Sequence, residues 1–199
     1  SVSSTVSANS TSGFSVVKFT TPSSGAFTVG HGLGAVPKVW IHKRLDGADN
    51  WQVYHEGLGN TKKIMLNHTN AEATSSMWDD TTPTTSLMYI GSGALNASAD
   101  YIAYCFAEKT GYSKFGSYKG NGNADGAFVY TGFKSSFILL KKSSGSGTDW
   151  YIFNNKMPGY NDNNKSLRAN TTATEASASG YSMDILSNGF KIRTSNTAL

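Results

Sequence analysis

Four histidines, His31, His42, His55 and His68, stand at intervals that invite a metal site, since neutral imidazole is the commonest transition-metal ligand. Their counterparts in the second half of the chain are roughly Thr131, Leu140, Asn154 and Thr171, so such a site would belong to one half alone. No carboxylate stands at helical or hairpin ligand spacing from them, and scattered surface or satisfied histidines are the expectation, with no metal. Glycoside hydrolysis needs two carboxyl groups facing each other, about 5 Å or about 6.5–9.5 Å apart. Glu72 and Glu175 recur in the two halves, and so do Asp49 and Asp149. The glutamates fit capping boxes, Thr69-x-x-Glu72 and Thr172-x-x-Glu175, and the aspartates precede strands, where turns favour Asp. Cys105 lies in an apolar run, where a thiol is inert. Being the only cysteine, it closes no internal disulfide and leaves redox compartment open.

Gly30-His31-Gly32-Leu33-Gly34 resembles a phosphate loop, but Pro37 and a strand follow where a helix would be needed, so it reads as a tight connection. Asp79-Asp80 and Asn161-Asp162-Asn163-Asn164 offer hard oxygen ligands without the spacing of a calcium loop and read as solvated turns. A sugar-binding surface needs ring faces for pyranose C–H groups and amides or carboxylates for hydroxyls. The candidates are Trp78, Tyr160, Asn161 and Asp162, all in turn-rich stretches. Trp51 and Trp150 hold matched positions in both halves and are assigned to core packing. No catalytic residue and no cofactor is expected, and the chain is read as not an enzyme.

The elements that carry these residues come in two copies, offset by about 98 residues. Gly13-Phe14-Ser15 recurs as Gly111-Tyr112-Ser113. Lys38-Val39-Trp40-Ile41-His42-Lys43-Arg44 answers to Phe137-Ile138-Leu139-Leu140-Lys141-Lys142, and Asp49-Asn50-Trp51-Gln52-Val53-Tyr54 to Thr148-Asp149-Trp150-Tyr151-Ile152-Phe153. The first copy goes on to Tyr101-Ile102-Ala103-Tyr104-Cys105-Phe106-Ala107, apolar on both faces as in the middle of a sheet. The second has no such run, which leaves an edge to be covered. With no initial Met, this reads as a segment of a longer polypeptide or a cleaved product.

Short apolar runs separated by Gly, Ser, Asn and Asp predict many short strands. Turns are expected at Asp46-Gly47, Gly120-Asn121-Gly122, Asp125-Gly126 and Asn188-Gly189. Helix is expected only as one short turn at each capping box. The predicted fold is all-β: a linker or N-terminal arm over 1–12, one β-sandwich-like unit over 13–109 and a second over 110–199, which lacks the last strand of the first. Only 15% of the 199 residues are charged, against roughly 25% in an average domain, and 12% are aromatic, which excludes a solvated disordered tail. The formal net charge of +4 is spread over isolated pairs such as Lys43-Arg44, Lys62-Lys63 and Lys141-Lys142, so no nucleic-acid partner is expected. No apolar stretch approaches the roughly 20 residues that span a bilayer, and no membrane insertion is expected.

Gly30-His31-Gly32-Leu33-Gly34-Ala35-Val36-Pro37-Lys38, Tyr101-Ile102-Ala103-Tyr104-Cys105-Phe106-Ala107-Glu108, the stretch from Gly111-Tyr112-Ser113 to Gly120-Asn121-Gly122, and Phe128-Val129-Tyr130-Thr131-Gly132-Phe133 occur in order. From about Val6 onward the chain resembles a repeat domain of large structural proteins of tailed bacteriophages, especially those infecting cyanobacteria and other marine bacteria. The resemblance implies a virion component: a tail fibre or another exposed appendage, with other virion proteins as partners, a homo-oligomer that is a trimer if a fibre, and host-surface glycan as a further partner. A capsid decoration or head-fibre protein fits the same resemblance. The family offers no ligand or catalytic residues to carry over, and its members continue beyond the equivalent of Leu199 with the missing strand.

Overall fold

The computed structural model describes residues 1–145, 147–158, 160–177 and 180–199. Its strands are β1 (Ser4–Asn9), β2 (Phe14–Thr20), β3 (Phe27–Gly30), β4 (Val39–Arg44), β5 (Gln52–His55), β6 (Lys62–Met65), β7 (Ala73–Thr74), β8 (Leu87–Ile90), β9 (Asp100–Phe106), β10 (Phe128–Tyr130), β11 (Phe137–Lys141), β12 (Trp150–Asn154), β13 (Lys165–Arg168), β14 (Ala176–Ser177), β15 (Met183–Leu186) and β16 (Gly189–Ile192). Among the described residues the only helix is a 3-10 turn, Glu56–Leu58, so the chain is all-β as predicted. It divides into two compact units, Ser1–Leu66 with Glu72–Gly116, and Asn67–Ala71 with Ser117–Leu199. The division falls after Gly116, and Lys141 Nζ, donating to Thr69 O at 3.0 Å, holds the short segment Asn67–Ala71 in the second unit.

In the first unit a seven-stranded sheet runs β1-β2-β9-β4-β5-β6-β7, and β3 pairs with β8 in a two-stranded sheet. Every strand pair is antiparallel. The run apolar on both faces is β9, and it lies where its pattern demands, between β2 and β4. Tyr101, Ala103 and Cys105 point into a core shared with Val29, Met88 and Ile90 of the small sheet, while Ile102, Tyr104 and Phe106 are half-buried on the other face. The expected N-terminal arm over 1–12 is instead an ordered edge: β1 pairs with β2 along its whole length, from Ser4 opposite Phe19 to Asn9 opposite Phe14. Its low charge and alternating Val6 and Ala8 suit a strand, and Gly13, at φ +70, ends the connection where any Cβ would meet Ala107 O at 2.4 Å.

The second unit repeats half of this plan. Its four-stranded sheet runs β11-β12-β13-β14, the order of β4-β5-β6-β7, and β10 pairs with β16 as β3 does with β8, with β15 added beyond β16. The register is compatible with the duplication read from sequence. Trp40 lies opposite Tyr54 and Ile138 opposite Phe153, and Lys62 opposite Thr74 as Lys165 is opposite Ser177. Among the described residues nothing corresponds to β1, β2 or β9. Tyr112 and Ser113, which match Phe14 and Ser15 of β2, fold back onto Lys109 O in a turn, at 3.0 and 2.9 Å. The β15–β16 hairpin closes through Ser187-Asn188, because Leu186 pairs with Gly189, one residue earlier than the Asn188-Gly189 turn expected from sequence.

Candidate functional site

The densest group of chemistry-capable side chains sits under the middle of the first unit's large sheet. Trp40 and His42, two apart on β4, share a face with Gln52 and Tyr54 of β5 and Tyr101 of β9. Trp40 stacks on Tyr54 at 3.9 Å between ring centroids, and Trp78 stands edge-on to Trp40 at 5.0 Å, to Tyr54 at 5.6 Å and to His42 at 5.6 Å. Such tilted pairs add about 0.5–1.5 kcal/mol each beyond the area they bury. Burial holds the His42 imidazole at a pKa of about 4; Asp49 pulls it up and Lys63 pushes it down. His42 is therefore neutral at pH 7, in an aromatic cage. Asp49, at the turn before β5, accepts the Tyr101 hydroxyl at 2.7 Å and the Asn50 backbone N–H at 2.7 Å.

The other candidates are likewise tied into the fold. His31 Nε2 lies 3.1 Å from Thr84 O, and Nδ1 accepts the Leu33 N–H at 3.2 Å, which places a neutral ring with Nε2 as donor. This is a satisfied core histidine. His55 Nδ1 accepts the Gly57 N–H at 3.0 Å and so caps the 3-10 turn. Cys105 is fully buried against Met88, its thiol pushed up to about 12 by burial, and a group that stays protonated is no nucleophile. Among the described residues no three of His, Cys, Asp and Glu gather as a metal set, and no helix is long and apolar enough to cross a membrane.

The recurring aspartates precede β5 and β12 as expected, whereas the recurring glutamates have a different role from the one expected. Neither Thr69-x-x-Glu72 nor Thr172-x-x-Glu175 starts a helix. Glu72 instead pairs with Lys62, and Glu175 with Lys165 at 3.0 Å, so the same ion pair recurs beside the same strand in each unit. A Lys ten residues before a Glu, across a hairpin, is invisible to local spacing rules. Asp149 likewise accepts Asn170 Nδ2 at 2.9 Å and pairs with Arg168 Nε at 3.1 Å.

The four proposed sugar contacts separate. Trp78 is wholly buried, with Nε1 donating to Lys62 O at 2.7 Å, and presents no ring face to a ligand. The Ser, Asp, Thr and Pro residues around it mimic a loop, but the segment is pressed into the core: at Gly91 a Cβ would sit 2.1 Å from Ser76 O. Tyr160 is exposed, as are Asn161 and Asp162. The Asn161 amide is engaged on both sides by β15, donating to Ile185 O at 3.2 Å and accepting Ile185 N–H at 2.9 Å, so it acts as a backbone substitute. Asp79 and Asp80 form an exposed turn at positive φ, 53 and 44 degrees. Trp150 is buried, whereas Trp51 is half-buried on the sheet's other face, stacked on Tyr104 with Lys43 Nζ 5.9 Å from its ring.

Sequence reasoning missed three exposed aromatics on two strands. Phe128 and Tyr130 project from one side of β10, and Phe137 opens β11 with 61% of its surface exposed. Their signal was present only as an absence, since the strands that would flank them have no counterpart in this copy. No curated protein and no solved structure matches the chain. One family model does match, over residues 1–199, and the chain belongs to that family, a domain of unknown function, DUF7483.

Proposed function

We propose that the chain is a structural virion protein of a tailed bacteriophage, a segment of a tail fibre or another exposed appendage that serves assembly or host-surface attachment, and that it is not an enzyme. One observation carries this reading: three of the four histidines, the cysteine and the carboxylates that recur in both units are enclosed in the fold or bound to its backbone and neighbouring side chains. His42 and Cys105 are enclosed, His31 and His55 bind backbone, and Glu72, Glu175 and Asp149 pair with neighbouring cations. Duplicated β units with low charge suit a durable scaffold, and the resemblance of the sequence motifs to phage structural proteins is what suggests the setting. Partners are then other virion proteins and further copies of the chain. Immunogold labelling of purified particles with an antibody to this chain tests the proposal. Label on the tail or an appendage is expected, label on the head assigns a decoration or head-fibre role, and unlabelled particles contradict it.

A second reading, a carbohydrate-binding module for host glycans, rests on Tyr160, which is 75% exposed, with Asp162 also exposed two residues on. It requires specific retention on a glycan array that weakens in Tyr160→Ala. Equal retention by the parent and the variant counts against it.

A further inference from the structure

The two units differ most at one edge. In the first, β4 lies between β5 and β9; in the second, its equivalent β11 has β12 on one side and, among the described residues, no strand on the other. The side chains register the difference. Val39, opposite His55, is 8% exposed, whereas Phe137, opposite Asn154 at the matching position, is 61% exposed. The ladder's phase follows from one repeated bond, Glu56 N to Lys38 O at 2.8 Å and Asn155 N to Ser136 O at 3.2 Å. It makes Ile138 and Leu140 exchange backbone bonds with β12, so Phe137, Leu139 and Lys141 turn their N–H and C=O groups to the free side.

We infer that this free edge is a docking site for one extended strand of the same chemistry as β9, running antiparallel to β11 and lying outside residues 1–199. The first unit shows the chemistry of the occupant. Against β4, Phe106, Cys105, Tyr104, Ala103 and Ile102 lie opposite Val39, Trp40, Ile41, His42 and Lys43. Transferred to β11, these positions fall opposite Phe137, Ile138, Leu139, Leu140 and Lys141. The partner strand therefore carries small apolar residues on the side of Ile138 and Leu140, branched or aromatic ones on the side of Phe137 and Leu139, and no charge across these five positions. Strand addition of this kind draws affinity from main-chain bonds and specificity from alternate side chains. A second copy of the chain does not offer such a strand: its β9 is paired on both sides, its edge strand β1 reads Ser-Thr-Val-Ser-Ala-Asn, and its own free β11 would set Leu140 against Ile138, where a small residue belongs, and the charge of Lys141 against Phe137. The inference goes beyond the virion reading and stands apart from it.

The probe is a synthetic peptide with the sequence of residues 99–108, carrying Cys105→Ser to prevent oxidation, added to the full chain. Residue-resolved amide exchange is the readout. Saturable one-to-one binding should slow exchange at Phe137, Leu139 and Lys141 by about ten-fold or more, since newly bonded edge amides exchange only when the added strand opens. A peptide with Tyr104→Pro, which removes a central donor, should lose that protection. Unchanged exchange at the three amides, equal protection by the proline peptide, or protection that appears with rising chain concentration and no peptide would each overturn the inference.

Discussion

Acidification should destabilise the first unit through His42 more than through any exposed group. In the folded chain burial holds this imidazole near a pKa of 4, with Lys63 acting in the same direction and Asp49 against it; in the unfolded chain it titrates near 6.5. A depressed folded pKa means that the unfolded state takes up the proton first. The stability contributed by the neutral ring is complete above pH 6.5 and drains as pH falls towards 4. The ceiling is about 3 kcal/mol, and between pH 7.5 and pH 5 the loss is about 2 kcal/mol. His31 and His55, also depressed by burial, add to it with the same sign. His42→Leu places at this position the residue that the second unit carries there, Leu140, and removes the titration while keeping an apolar contact. Urea unfolding followed by tryptophan fluorescence suits the test, because Trp40, Trp51 and Trp78 all lie in the first unit. The parent should lose about 2 kcal/mol more than His42→Leu between the two pH values. Equal losses would refute the account of a caged, neutral histidine.

Three further outcomes follow from the packing. Trp78→Ala should cost about 3–5 kcal/mol of stability by urea unfolding, because it empties the centre of the aromatic cluster, and it should leave any glycan retention unchanged. Gly189→Ala should destabilise the second unit by about 1–3 kcal/mol, since the new Cβ would lie 2.1 Å from Val129 O, a backbone atom held in the β10–β16 ladder; thermal denaturation followed by far-ultraviolet circular dichroism reads it. Cys105 should resist a disulfide reagent in the native chain and react fully in denaturant, and rapid native labelling would contradict its burial.

Much of the fold was legible because it depends on periodicity. The two-faced run of β9 announced a central strand, and its missing counterpart announced the open edge at β11. The duplication aligned the segments that carry Trp40 and Tyr54 with those that carry Ile138 and Phe153, and the structure pairs the two sets alike. Readings that depended on local spacing fared worse. Thr69-x-x-Glu72 satisfies a capping box, yet the carboxylate finds Lys62 across a hairpin, a non-local partner that outweighs a turn with little helix propensity around it. Trp78 sits among residues typical of loops, and only the close approach of Ser76 to Gly91 shows that this loop is pressed into the core. Tyr112 repeats Phe14 in sequence but not in structure, because a strand needs a neighbour and β9 has no second copy.

The central claim is that this chain is building material of a particle. Cryo-electron microscopy of intact, gradient-purified virions tests it most directly. Density that accommodates both units on an external appendage, repeated with the symmetry of that appendage, is the predicted result. Particles complete in every component yet lacking this chain would contradict it.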